Sequence, residues 1–129
     1  MSNSSLPRPT EAEIAILRIL WERGPSAVKD VHEQIRPLRS TRLTTTLKQM
    51  QLMTEKGLLK RDESRRPQLY SPRAPQESTL RQLTAGLLEH AFGGSAERLV
   101  MHALEARKVS HEELDRIRKL LDNLEEGKR

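Results

Sequence analysis

The chain has 129 residues, which suits one small domain or one domain with an appendage. It contains no cysteine, so disulfides, thiolate metal sites and a cysteine nucleophile are excluded. Trp21, Tyr70 and Phe92 are the only aromatic residues, too few for a base-stacking platform that binds single-stranded nucleic acid. Because the apolar stretches are too short to span a membrane and the N-terminus does not resemble a signal peptide, we expect a cytoplasmic protein.

Positive charge is concentrated in the first part of the chain. Residues 1–74 contain 14 Lys or Arg against 8 Asp or Glu, whereas residues 75–129 contain 9 against 10. A basic region of this kind favours a polyanionic partner such as nucleic acid. A solvated basic surface without a partner is the other interpretation, and charge alone does not separate the two.

The N-terminal segment is followed by a strong helix-start signal. Residues 1–9 are polar and contain two prolines, so we expect them to be disordered. Thr10 and Glu13 have the spacing of a capping box, which predicts that a first helix begins here, and Gly24 predicts its end. Ile16 lies outside the apolar stripe of this helix. The predicted inner face consists of Ile14, Leu17, Leu20 and Trp21.

Two more helices are predicted to follow. Ser26 is the expected N-cap of a short second helix that ends before Pro37. Its expected inner face is Ala27, Val28, Val31 and Ile35. Ser40 or Thr41 is the expected N-cap of a third helix, which runs to about Lys56. Its expected inner face is Leu43, Leu47, Met50 and Met53.

The sequence period then changes to that of a β-hairpin. Residues 58–62 and 68–72 have the composition of two short strands, joined by the polar turn 63–67. Three helices followed by a hairpin are the arrangement of a winged helix-turn-helix domain, which we place at residues 10–74. The expected fold class is therefore mainly α with a small β-hairpin wing.

Residues 75–129 are predicted to form three further helices, the last two beginning at Ser95 and Ser110. Each helix carries a single apolar stripe, which is too little to bury a core alone. We therefore expect this helical region to form the interface of a two-fold homodimer. The residues expected in that interface are Leu80, Leu83, Leu87, Leu99, Leu114, Ile117, Leu121 and Leu124.

The third helix is the candidate reader of double-stranded DNA. The major groove of B-DNA admits one α-helix, and a helix-turn-helix offers its second helix to that groove. Basic, hydroxyl and amide side chains can bind base edges or phosphates. On this helix we predict DNA contacts from Arg42, Thr44, Thr45, Thr46, Lys48 and Gln49, on an outward face that also holds Gln51. On the wing we predict contacts from Arg61, Arg65 and Arg66.

Two other classes of function are alternatives to DNA binding. A winged helix can be a protein-interaction module without sequence-specific DNA binding, but such a module needs exposed apolar anchors, and the predicted outward face is polar. An enzyme is not expected, because no nucleophile elbow or phosphate loop is present. The histidines lack metal-binding spacing, so no metal or cofactor is predicted; they are His32, His90, His102 and His111.

Four sequence blocks occur in an order typical of one known family. They are TEAEIAILRILW (10–21), TTTLKQMQLMTEKGLL (44–59), RDESRRPQLY (61–70) and FGGSAERLVMHAL (92–104). Together they resemble the penicillinase-repressor family, also called BlaI/MecI/CopY. The resemblance extends over about residues 8–126, nearly the whole chain.

The resemblance implies a homodimeric winged-helix repressor that binds a palindromic DNA operator. It implies that Thr44, Thr45 and Lys48 face the groove and that Arg65 and Arg66 lie in the wing. Many family members are encoded beside a membrane sensor with a metalloprotease domain, which inactivates the repressor by cleavage in the dimerisation region. A membrane sensor metalloprotease is therefore a candidate partner.

The chain also departs from the family pattern. The Asn-Phe pair cleaved in the penicillinase branch aligns with His102-Ala103, which is the candidate cleavage site although neither residue is retained. A valine is common in the family where Thr46 stands, and an aromatic residue where Leu43 stands. Copper-responsive members carry a C-terminal cysteine cluster, and its absence here excludes that branch.

Overall fold

A computed structural model describes residues 7–127. In this range it contains α1 (Glu11–Arg23), α2 (Val28–Ile35), α3 (Leu43–Lys56), β1 (Leu59–Asp62), β2 (Leu69–Pro72), α4 (Gln76–His90), α5 (Ala96–Ala106) and α6 (His111–Gly127). The predicted fold class, mainly α with a β-hairpin wing, is confirmed. Within the same range no helix combines the length and the apolar character that a membrane span requires, and the cytoplasmic location stays a prediction.

The capping box predicted at the start of α1 is present. The Thr10 hydroxyl accepts a hydrogen bond from the Glu13 backbone N–H (3.3 Å), and the Glu13 carboxylate accepts one from the Thr10 N–H (2.8 Å). The predicted inner face of α1 is partly wrong, because Ile16 is buried whereas Ile14 and Trp21 are half-buried. Both α2 and β2 pack on α1, so its buried arc is wider than one stripe.

The start of α2 differs from the prediction. Ala27 is the N-cap, and the Ser26 hydroxyl instead donates to the Gly24 carbonyl (2.8 Å). Ser26 is buried and its backbone pairs with Tyr70: the Ser26 N–H donates to the Tyr70 carbonyl (3.0 Å) and the Tyr70 N–H to the Ser26 carbonyl (2.8 Å). This long-range pairing holds Ser26 in extended backbone, one residue before the N-cap Ala27. The N-cap of α3 is likewise Arg42, not Ser40 or Thr41.

The hairpin forms the wing. Leu59 pairs with Pro72 and Asp62 with Leu69 in an antiparallel register. At the tip the Asp62 carboxylate accepts hydrogen bonds from both the N–H and the hydroxyl of Ser64, and these bonds lower the pKa of Asp62. The core between the wing and the helices consists of Ile16, Leu17, Ile19, Leu20, Val31, Ile35, Met50, Met53, Leu58, Leu59 and Tyr70.

The chain forms two compact units, which divide within α4 between Thr84 and Ala85. The expected domain boundary between residues 74 and 75 lies ten residues earlier and stays a prediction. The expected disordered segment 1–9 falls largely outside the described residues, since the description begins at residue 7, and Pro9 is buried.

The second unit contains the end of α4 together with α5 and α6. As predicted, the Ser95 hydroxyl caps α5 by accepting from the Arg98 N–H (3.2 Å), and the Ser110 hydroxyl accepts from the Glu113 N–H (3.1 Å). Gly93 and its neighbour Gly94 adopt positive φ angles between α4 and α5. Neither α5 nor α6 contains a buried residue.

One ion pair joins the start of α1 to the end of α3. The Lys56 ammonium lies 2.7 Å from Oε2 and 2.9 Å from Oε1 of Glu13, whose side chain is only 8% exposed. Burial acts to raise the pKa of Glu13, but the hydrogen bonds from Lys56 and Thr10 outweigh it, so the net effect lowers that pKa. The charged carboxylate therefore stabilises the folded state.

We expect Glu13→Gln to lower the free energy of unfolding by about 1 kcal/mol at neutral pH, since Lys56 is partly exposed and water screens the pair. Because the folded-state pKa of Glu13 lies below its ordinary value of 4.5, this stabilisation is complete above that value. It is lost as the pH falls through the folded-state pKa. Urea unfolding at about pH 7 and about pH 3 measures both effects.

The matched control is Glu11→Gln, which removes an exposed carboxylate from the same helical turn. It should change stability much less than Glu13→Gln. An equal loss in both variants at both pH values would contradict the assignment.

Candidate nucleic-acid interface

The outer side of α3 carries a continuous row of exposed residues. Thr44, Leu47, Lys48 and Gln51 are all exposed and are spaced i, i+3, i+4 and i+7, which puts them on one face of the helix. We call this row the reading stripe. A homeodomain recognition helix reads DNA with the same spacing. The arrangement therefore suits insertion of α3 into a major groove.

The opposite side of α3 packs on the core through Thr46, Met50 and Met53, which we call the inner stripe. Thr46 was predicted to face DNA, and this prediction is wrong because its side chain is 2% exposed. Leu43 and Leu47 were predicted to face the core, and they are instead 46% and 38% exposed. Met50 and Met53 are buried as predicted, so the buried face of α3 is rotated by roughly 40° from the face that hydrophobicity alone suggests.

A buried hydrogen bond explains this rotation. Nδ1 of His32, on α2, lies 2.9 Å from the Thr46 hydroxyl, and both side chains are buried. A hydroxyl can occupy a core position when a partner satisfies it, and the His32 ring supplies that partner. The sequence pattern predicted for His32 only that its spacing does not suit a metal site. The signal available was that Thr46, Met50 and Met53 have a helical spacing as good as that of the leucines.

The remaining predicted residues of α3 lie beside the reading stripe. Thr45 and the half-buried Gln49 line a groove of about 630 Å³ between α3, the start of α1 and the α2–α3 turn. Arg39, in the α2–α3 turn, lines the groove as well. Arg42 is exposed at the N-cap of α3. Thr44, Thr45 and Lys48 line this groove as exposed residues, whereas Thr46 lies at its base with a buried side chain.

The electrostatics of α3 favour an anion. Its first turn contains no acidic residue, and its N-terminal amides carry the positive end of the helix dipole. Within residues 7–127 neither Arg42 nor Lys48 forms an ion pair. Both cations are therefore available to an external partner.

The three predicted arginines of the wing are partly engaged within it. A hydrogen bond with Tyr70 raises the pKa of Arg61, whose guanidinium also lies 3.4 Å from the Glu63 carboxylate. Arg65 lies 3.4 Å from the Asp62 carboxylate but has a 66% exposed side chain. Arg66 donates to the backbone carbonyls of Glu63 (3.1 Å) and Arg65 (3.2 Å). Arg65 is thus the arginine best placed to turn toward a phosphate.

The second unit exposes much of its apolar surface. Leu87, Leu121 and Leu124 are 48%, 58% and 64% exposed. Leu80, which belongs to the first unit, is 40% exposed. The other predicted interface residues are half-buried, namely Leu83, Leu99, Leu114 and Ile117. His102 and Ala103 are exposed within α5, and the His102 ring lies 5.6 Å from the Phe92 ring.

Comparison with known proteins shows the family. The penicillinase-repressor family profile matches residues 9–123. The chain belongs to the penicillinase-repressor family. It is 21% identical over 118 residues to a penicillinase repressor from Bacillus licheniformis, covering 91% of each chain. It is also 22% identical over 112 residues to an uncharacterized 16.5 kDa protein in the ptsI 3′ region of Latilactobacillus sakei, covering 87% of this chain and 77% of that one.

Family membership confirms the resemblance seen in the sequence blocks. It makes the chain a transcriptional repressor, since members of this family are transcriptional regulators and not enzymes. Across residues 7–127 no three acidic or histidine side chains converge as a metal site would require. Which residues bind DNA, whether a second copy forms the dimer, and which signal ends repression stay predictions.

The His32–Thr46 hydrogen bond can be tested by a double-mutant cycle. We expect Thr46→Val to lower the free energy of unfolding by about 1–3 kcal/mol, because it leaves a buried imidazole nitrogen without a partner. Adding His32→Leu should recover part of that loss, since both polar groups are then gone. Urea unfolding of the wild type, both single variants and the double variant measures the coupling.

Thr46→Ser is the control, because it keeps the hydroxyl and removes only a methyl group. It should be less destabilising than Thr46→Val. Strictly additive effects in the cycle would show that the two side chains do not interact.

Proposed function

We propose that the chain is a homodimeric repressor that binds a palindromic DNA operator through α3 and the wing. The observation that carries the proposal is the reading stripe, with the exposed and unpaired Lys48 at its centre. The name of the Bacillus licheniformis relative, a penicillinase repressor, supports the same function.

In this proposal α3 enters the major groove and the wing follows the flanking backbone. Thr44, Lys48 and Gln51 are the side chains that reach base edges, because they project from the free side of the helix. Arg42 at the N-cap and Arg65 in the wing bind phosphates, which fix the register of the protein on the duplex. Asp62 and Glu63 keep the positive charge of the wing low, so its contribution is a small number of phosphate contacts.

The proposed dimer interface is the apolar surface of α4, α5 and α6. Neither α5 nor α6 contains a buried residue. A helix that buries no apolar side chain receives little stabilisation from its own chain, because most helix stability in proteins comes from tertiary packing. Leu121 and Leu124, more than half exposed, would be covered by a second copy. Two-fold pairing presents two reading stripes to the two halves of a palindrome.

We further propose that cleavage in α5, near His102-Ala103, ends repression. A dimer holds its second reading stripe at high effective concentration once the first is bound, so severing α6 from the chain would weaken operator binding. Both residues are exposed, and α5 has 11 residues and follows two glycines, which favours local opening. The protease in this proposal is a membrane sensor metalloprotease.

Base contacts and phosphate contacts should respond differently to mutation. The probes are a duplex selected from a random-sequence library by the full-length protein and an unrelated duplex of equal length. Lys48→Ala should weaken binding to the selected duplex by about 1–3 kcal/mol and to the unrelated duplex much less. Arg65→Ala should weaken both duplexes about equally and reduce the salt slope by about one.

Gel-shift titrations at two salt concentrations measure these effects. Arg18→Ala is the control, because it removes the same charge from an exposed position of α1. If no duplex is bound in a salt-dependent way, the proposal is wrong and the protein-interaction module becomes the better interpretation.

The dimer is tested by introducing charge into its proposed interface. The double variant Leu121→Glu/Leu124→Glu should sediment as a monomer of 14.8 kDa at micromolar concentration, where the wild type should have twice that mass. The physical reason is that two carboxylates would be buried without partners. Lys119→Glu on the polar side of α6 is the control and should leave the dimer intact.

Cleavage is tested by co-expression with the sensor protease encoded beside the repressor gene. Under inducing conditions we expect a new N-terminus close to Ala103, located by mass spectrometry of the fragments. A repressor that stays intact while its target genes are fully expressed would contradict this route and indicate a ligand or a second protein.

A further inference from the structure

The reading stripe contains one apolar member that DNA binding by polar contacts does not explain. Leu47 stands between Thr44 and Gln51 on the free side of α3, and 38% of it is exposed. Leu43, one turn earlier on the same side, is 46% exposed. A single surface leucine is ordinary, but two leucines one turn apart beside Lys48 form an apolar strip inside a polar and basic face.

Helix geometry puts this apolar strip within the surface that would enter the groove. Successive residues rotate by about 100°, so Leu47 lies about 40° from Gln51 and about 60° from Thr44 around the helix axis. Side chains of a helix also lean toward its N-terminus, which moves Leu47 toward the end of α3 that carries Arg42. Leu47 thus lies at one edge of the reading stripe, and its exposed part faces the groove if α3 enters it.

The chemistry of the groove offers one specific target for an apolar side chain. Among the groups that base pairs present in the major groove, the 5-methyl group of thymine is the apolar one. The cations around the strip, Arg42 and Lys48, favour a polyanion over an apolar protein surface as its occupant. A thymine in duplex DNA satisfies both requirements, since it combines a methyl group with a nearby phosphate.

We propose that Leu47, with Leu43 beside it, packs against thymine 5-methyl groups and gives the repressor a preference for thymine within each half of its operator. This inference rests on the proposed binding of α3 to DNA and adds to it a hydrophobic source of sequence preference. The sequence pattern predicted that Leu47 is a core residue. In this proposal it is instead a specificity-determining residue.

Leu52 supplies a matched control. It lies on the same helix and is 47% exposed, but it lines the groove toward α1, on the far side from Leu47. Replacing either leucine by alanine removes the same number of atoms from an exposed position. Alanine has the highest helix propensity, so both variants should fold, which circular dichroism checks.

The test combines these variants with a change of one methyl group in the DNA. The full-length protein selects a duplex from a random-sequence library, and each thymine of that duplex is replaced in turn by deoxyuridine, which lacks only the 5-methyl group. For the wild type we expect at least one replacement per half-site to weaken binding about fourfold, the value of one buried methyl-sized group. Leu47→Ala should bind the thymine duplex more weakly and should not respond to that replacement, whereas Leu52→Ala should respond as the wild type does.

Three results would overturn the inference while leaving DNA binding intact. They are a wild type that is insensitive to deoxyuridine at every position, a Leu47→Ala variant that keeps the full methyl response, and a selected site without thymine. Failure to select any duplex would have a different meaning, because it would refute the proposed function and this inference with it. Leu43→Ala, assayed in the same way, measures whether the second leucine shares the contact.

Discussion

The hydrogen bond between His32 and Thr46 is the contact on which the functional surface of this repressor depends. It joins α2 to α3 and fixes the rotation of α3 about its own axis. If α3 buried the face of Leu43 and Leu47 instead, Thr46 would turn toward solvent and the reading stripe would shift around the helix axis. The buried hydroxyl is tolerated because His32 satisfies it, so a polar pair in the core determines which side chains are offered to DNA.

A second long-range contact positions the wing. The backbone of Ser26 pairs with Tyr70 of β2, and Tyr70 is itself buried in the core. These contacts join the start of α2 to the hairpin. The wing is therefore carried by the same packed unit that orients α3, as the proposed binding of one duplex by both elements requires.

The two units of the chain use different physical forces. The winged-helix unit buries a compact apolar core and leaves basic and hydroxyl side chains outside, as a phosphate-binding surface requires. The second unit keeps leucines such as Leu121 and Leu124 on its surface, where only another apolar surface can cover them. The proposed function therefore places DNA binding and dimerisation in separate parts of the chain.

The sequence by itself determined the features that depend on near neighbours. The capping box of Thr10 and Glu13, the glycine that ends α3 at Gly57 and the hairpin were all predictable, because each rests on contacts within a few residues. Thr44 and Lys48 could be found as exposed members of α3 because polar side chains are usually exposed, but the same criterion failed for Thr46. Only the tertiary structure decided the cap of α2 and the face that α3 buries. Both depend on partners distant in sequence, which are Tyr70 for Ser26 and His32 for Thr46. The apolar pattern of α3 is compatible with burial of either of two faces, and only the contact with His32 decides between them.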